Sequence, residues 1–294
     1  MIIQSIQNRK YKQEIFNTTP EEFQLLFDQI QQEHYEELYE VEADGTDSLQ
    51  DALKKGLELL LINSDENLAY CRFLWMTLIL ILAVEPTLEY YDPNNLLPKQ
   101  VINFISSVLI NNINNKINTK MIDNYVIDNL ITEIFKSHKS YLQHKEANFQ
   151  EINEALDVFY NAIKVIKYDQ SVEAILEILE DCLEGEAIFP GSQGRRELFD
   201  WWLLDVVPAS YKLSPPEIFY VVEGVKNKEE IRLRQTRLLK KISKKIRSSL
   251  QDVMLEAKKY KNYSFPTPSK IRITSSKNSG TIQYKSTINQ LAYS

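Results

Sequence analysis

Apolar residues fall at three- and four-residue intervals along most of this chain, and helix breakers are rare. No glycine lies between Gly56 and Gly185, and no proline lies between Pro98 and Pro190. Residues 99–184 therefore contain neither breaker. A sheet protein needs turns with φ > 0, which glycine supplies at least cost, whereas helices joined by Asn- and Asp-containing turns do not. The pattern predicts an all-α fold, an irregular multi-helix array of about nine helices.

The boundaries are readable from capping chemistry. Thr19-Pro20-Glu21-Glu22 has the form of a capping box with proline at the first helical position, and predicts a helix over 19–39. Ser48 is placed to cap a second helix over 48–62. Ser64 or Asp65 caps a third, the most apolar of the chain, with the run Phe73–Val84 at its centre and Pro86 as its expected stop. That helix should be about 30 Å long, and its uninterrupted apolar run is too short to span a bilayer, which takes about 20 residues. Phe73, Leu74, Leu78, Leu82 and Val84 are expected core, because a helix apolar on every side must be surrounded. Pro98 starts a fourth helix, which fades in the Asn-rich turn 111–118. Met121, Ile122, Tyr125, Leu130, Ile134, Phe135 and Tyr141 mark one face of a helix over 119–143. Two more helices come after it, on Phe149-to-Ile166 and Val172-to-Leu183 spacings, the second closed by Gly185.

Residues 185–224 break the regularity, with four of the seven glycines and four of the ten prolines. A short helix is expected through Trp201 and Trp202 as far as Pro208. Ser214-Pro215-Pro216-Glu217 resembles a second capping box and predicts another short helix ending at Gly224. A long helix is then expected over 227–260. Lys270–Thr274 and Thr281–Lys285 flank Asn278-Ser279-Gly280, giving a polar tail or a small hairpin.

Charge then divides what periodicity leaves uniform. Residues 1–224 hold 17 Lys+Arg against 37 Asp+Glu, and residues 225–294 hold 17 against 4. The expected organisation is an acidic helical domain over 1–224, a basic amphipathic helix over 225–262, and a polar tail over 263–294. A basic segment on an acidic body must be neutralised by that body, by nucleic acid, by an anionic surface or by a partner. Cys71 and Cys182 lie far apart within predicted helices and read as small buried apolar residues of a reducing compartment. The first residues lack a cationic start followed by an apolar stretch, so no secretory leader is expected. The expected location is cytoplasmic.

Signatures of chemistry are scarce. Neither the Asp-Asp-x-x-Asp spacing that holds magnesium on a diphosphate nor the Glu-x-x-His pair of di-iron bundles occurs. His34, His138 and His144 lack partners at metal-ligand spacing. No phosphate-binding Gly-x-x-x-x-Gly-Lys loop and no Gly-x-Ser-x-Gly elbow is present. No catalytic residue, metal or cofactor is expected. The candidate for a small-anion site is the turn Gly191, Ser192, Gly194, Arg195 and Arg196, where free N–H groups and two guanidiniums precede a helix. The competing reading is a turn whose arginines pair with acidic neighbours. Trp201 and Trp202 point about 100° apart on a helix, which leaves one of them as a candidate anchor for a partner or packed under the loop after it.

The sharpest signal is the basic helix. Between Arg232 and Arg247 lie eight basic residues and no acid. Arg234, Arg237, Lys240, Lys241, Lys244, Lys245 and Arg247 share one broad arc. Leu238, Leu239, Ile242, Ile246, Val253, Ala257 and Tyr260 share the opposite one. This division points to a non-enzymatic cytosolic adaptor, assembly factor or regulatory subunit that engages an acidic protein partner through the helix. The alternative is a nucleic-acid-binding subunit of a larger complex, and the third is an anion binder or enzyme using the 191–196 turn. Aromatic side chains for base stacking do not interleave with the cations, which favours a protein partner. Salt should separate the two: phosphate contacts are strongly screened, whereas a partner gripping the apolar stripe is not.

Overall fold

The computed structural model describes residues 22–33, 49–62, 64–113, 124–144, 149–183, 187–188, 195–221 and 225–261. These residues are helical almost throughout, with no strand among them, and the fold is an all-α multi-helix array. The elements are α1 (Glu22–Glu33), α2 (Leu49–Glu58) running into a 3-10 turn (Leu59–Leu61), α3 (Glu66–Tyr91), α4 (Leu97–Ile113), α5 (Asn124–His144), α6 (Phe149–Lys164) and α7 (Ser171–Leu183). Then come α8 (Arg195–Trp201), a π-helical stretch (Trp202–Val206), α9 (Val207–Tyr211) and α10 (Lys228–Lys261). Met1–Met254 form one compact unit, so the charge boundary near residue 224 falls inside it. Leu255–Ser294 form a second unit, of which residues 255–261 are helical. The hairpin segments lie outside the described residues, as do the 19–21 cap and Gly185.

The apolar run organises the whole unit. Helix α3 is buried from Ala69 to Leu88, with α4, α6, α7 and α9 packed around it. Phe73 is 1% exposed and Leu74, Leu78, Leu82 and Val84 are fully buried. Its start is capped as expected, by Asp65, whose carboxylate accepts from the Leu68 N–H at 2.8 Å. Pro86 does not stop it. The helix runs on to Tyr91, about 39 Å in all at 1.5 Å per residue. An interior proline costs roughly 3 kcal/mol. Here the next turn is held down, because Leu88 is fully buried and the Thr87 hydroxyl donates to the Ala187 carbonyl at 2.7 Å. Among the described residues α3 is the one helix long and apolar enough to cross a membrane, and 89% of its most apolar window is buried in this fold.

The structure corrects three further expectations. In α5 the core face is Ile127, Leu130 and Ile134, while Tyr125 (71%) and Phe135 (57%) are exposed. Phe135 instead lies over the half-buried Tyr160 ring, at a centroid distance of 5.6 Å. Pro208 does not end the tryptophan helix, which continues to Tyr211. The π-helical turn before it opens the backbone where an α-helix would drive the proline ring into the Leu204 carbonyl. Ser214-Pro215-Pro216-Glu217 does not open a helix: residues 215–221 are irregular and extended. Their carbonyls are claimed from outside, Ile218 by the Trp201 indole N–H at 2.9 Å and Phe219 by the Arg232 Nε–H at 3.2 Å.

The turn between α9 and that extended segment presents a backbone acceptor to α10. Leu213 has φ of 49°, the left-handed region that usually belongs to glycine. Its N–H donates to Ser210 at 3.2 Å and the Ser214 N–H reaches back to Ala209 at 2.9 Å, closing the helix end as a Schellman motif. The Leu213 side chain is buried, which offsets the conformational cost, and its carbonyl faces α10.

Candidate functional site

The candidate site is the outer face of α10, and its rigidity depends on how the inner face is held. The helix starts at Asn227, whose φ of 66° suits an Asn and whose carbonyl accepts the first helical bond from Ile231 at 3.0 Å. Glu229 and Glu230 occupy the first turn, where carboxylates complement the helix dipole. Neither glycine nor proline interrupts the helix after them. Along the inner side Ile231, Leu239, Ile242 and Ile246 join the main core, with Leu238 half-buried beside them. Two buried polar side chains fix the register. The Ser243 hydroxyl donates to the Leu213 carbonyl at 2.9 Å, and the Gln235 amide donates to the Glu85 carboxylate. The side chains of Val253, Ala257 and Tyr260 lie outside the described residues.

The cations sort into two groups. Arg234 is not free for a partner: its two terminal nitrogens grip Glu89 at 3.0 and 2.6 Å, with Glu85 at 3.5 Å. This fork against a carboxylate pushes the Arg234 guanidinium up and holds the Glu89 carboxyl below its ordinary range, hydrogen bonding being the main cause on both sides. Arg237, Lys240, Lys241, Lys244, Lys245 and Arg247 are exposed, and none has a carboxylate partner among the described residues. At about 100° per residue they cover an arc of roughly 160° on the side away from the core. The result is a rigid helix face bearing six cations, anchored along its back.

The other candidates stand differently. Trp201 is 6% exposed and Trp202 fully buried, so neither offers an anchor to a partner. Both point inward because separate layers cover them. Trp201 lies under the extended segment, near Phe219 and Tyr220 with ring centroids 6.2 and 5.6 Å away. Trp202 faces α2, where it fills the space above Gly56 that a Cβ would occupy. Gly191, Ser192 and Gly194 lie outside the described residues, and Arg195 and Arg196 are described as the opening backbone of α8 alone. Cys71 and Cys182 are buried free thiols. Among the described residues no group of His, Cys, Asp and Glu is placed to hold a metal ion.

Two features escaped the sequence. The buried ions Arg72 and Glu85 sit at the edges of the apolar run, and the run's own periodicity says nothing of what would pair them. Asp181 is the other: burial pushes its carboxyl up to about 7, aided by Asp157, Glu154, Glu177 and Glu180 nearby. The density of acids on α6 and α7 is visible in the sequence, but not that the two faces meet. The chain matches no protein-family model, and no curated protein and no solved structure matches it at a significant level.

Proposed function

We propose that this protein is a non-enzymatic cytosolic interaction protein, an adaptor, assembly factor or regulatory subunit, whose docked basic helix engages an acidic protein partner. The observation that carries the reading is the division of α10. Its apolar stripe is spent on its own core, and its fixed outer face bears cations with no carboxylate partner among the described residues. Solvated lysines alone would not require such an arrangement, but a surface for steering and orienting an anionic partner does. The acidic remainder of the chain limits non-specific attraction to nucleic acid.

The buried stripe changes how salt must be used as a test. A partner cannot grip Ile242 and Ile246 without undocking the helix, so a protein partner on the outer face is itself held by charge. Both classes of partner then weaken with salt. Charge reversal with identification of the ligand separates them. Full-length protein is compared with a variant carrying Lys240→Glu, Lys241→Glu, Lys244→Glu and Lys245→Glu. The expected result is recovery of an acidic protein with the first and not with the second, at unchanged helicity. Recovery of nucleic acid instead, lost in the same variant, would overturn this reading.

A further inference from the structure

The cationic face is interrupted at one point, and the interruption is apolar. Among the described side chains of α10, Leu233 is the one apolar residue that is exposed, at 52%. An isolated surface leucine carries no meaning by itself; its position does. On the helix it points between the directions of Lys240 and Lys244, about 20° from each and about 160° from the centre of the buried stripe. It therefore stands in line with the middle of the cationic arc, one turn before Arg237 and two before Lys240. On its other side Glu229 and Glu230 end the positive surface, with Glu229 paired to Arg232 at 2.5 Å.

We infer that Leu233 is the apolar anchor point of the α10 surface, and that its partner is an acidic protein segment carrying one large apolar residue at the end of its row of carboxylates. This rests on the reading of the face as a protein-binding surface, and it adds a register and a direction. The partner's apolar side chain meets Leu233, and its carboxylates run toward Arg237, Lys240, Lys241 and Lys244, away from Glu229 and Glu230. A nucleic-acid backbone has no use for this arrangement. Phosphates gain nothing from a leucine at the centre of the row, and a lysine there would serve them better.

The test uses full-length protein and three probes. The first is a Glu-rich peptide with a single terminal phenylalanine. The second is the same peptide with serine in that place, and the third is a short DNA duplex. Binding is followed by fluorescence anisotropy at low salt. The phenylalanine peptide should bind about tenfold more tightly than the serine peptide, the gain of a largely buried apolar contact. Leu233→Ala should erase that difference while leaving the serine peptide unchanged. Leu233→Lys should weaken the phenylalanine peptide and strengthen the duplex. Since the side chain is exposed, both variants should fold.

Equal binding of the two peptides by the wild type would overturn the anchor, as would a difference that survives Leu233→Ala. The broader reading falls separately. If neither peptide binds, or if both bind the fourfold Lys→Glu variant as well as the wild type, the acidic-partner surface and its anchor fall together. If both bind equally and only the charge reversal abolishes it, the surface stands without the anchor.

Discussion

The guanidinium carbon of Arg72 lies 3.7 Å from the centre of the Tyr211 ring, while its Nε–H donates to the carbonyl of the same Tyr211 at 3.0 Å. One terminal nitrogen donates further bonds to the carbonyls of Leu60 and Ile62, at 2.7 and 2.9 Å. All three acceptors stand at helix ends, two after α2 and its 3-10 turn and one at the end of α9. These are the carbonyls a helix leaves unpaired, at the negative end of its dipole. The arginine is fully buried, and burial pulls its guanidinium down to about 10, which still leaves it charged at neutral pH. Two helix termini and an aromatic face thus take the place of a carboxylate partner.

Arg72→Met should therefore destabilise the protein by roughly 3–5 kcal/mol, because it strands three buried carbonyls along with the packing of Tyr211. Urea denaturation measures this. A loss below about 1 kcal/mol would show that the helix ends find other donors.

Gly56 makes a second test of packing. A Cβ at this position would overlap the fully buried Trp202 ring, whose far edge is covered by Phe199 with centroids 5.6 Å apart. Helix propensity alone favours alanine over glycine by about 1 kcal/mol. Gly56→Ala should nevertheless cost about 1–3 kcal/mol, the typical penalty of overpacking. A gain in melting temperature would mean that α2 shifts freely off the tryptophan.

Much of this architecture was legible because it is local. The 3.6-residue spacing, the Asp65 cap and the apolar run locate α3 and its burial from sequence alone. What was not legible depends on partners far along the chain. Pro86 and Pro208 look like stops until the Thr87–Ala187 bond and the π-helical turn are seen. Ser214-Pro215-Pro216-Glu217 has the composition of a helix start, but Trp201 and Arg232 take its neighbours' carbonyls for tertiary contacts. The cationic and apolar faces of α10 could be drawn on a helical wheel. That Arg234 is consumed by Glu89 could not, because nothing local links residues so distant.

Asp181 supplies a pH dependence whose sign can be worked out. Its folded carboxyl titrates near 7 rather than at its ordinary value, so the folded state retains a proton that the unfolded chain releases at lower pH. Its contribution is fully present below the ordinary carboxylate range and is lost as pH rises toward neutrality. Asp181→Asn keeps the shape and removes the charge. The variant should melt higher than the wild type at pH 8, with the difference shrinking steadily toward pH 5. A difference that stays constant across this range would mean that the carboxyl titrates alike in both states.

The docking of α10 can be separated from the binding it supports. Ile242 is 4% exposed and Ile246 fully buried, so an aspartate at either place puts a charge into the core beneath the helix. Ile242→Asp should release protection from hydrogen exchange along residues 231–246 while α3, held by its own neighbours, stays protected. Reversing the charge of Lys240, Lys241, Lys244 and Lys245 should leave that protection intact, because these side chains touch nothing in the core. Glu89→Gln lies between the two. It loosens the Arg234 fork, a largely exposed pair worth below about 1 kcal/mol, and its effect should vanish in acid as pH falls through the lowered Glu89 value. Three variants on one helix thus give three exchange patterns. Loss of protection in the charge-reversed protein would show that the cations help to hold the helix down, and the face could no longer be counted as free for a partner.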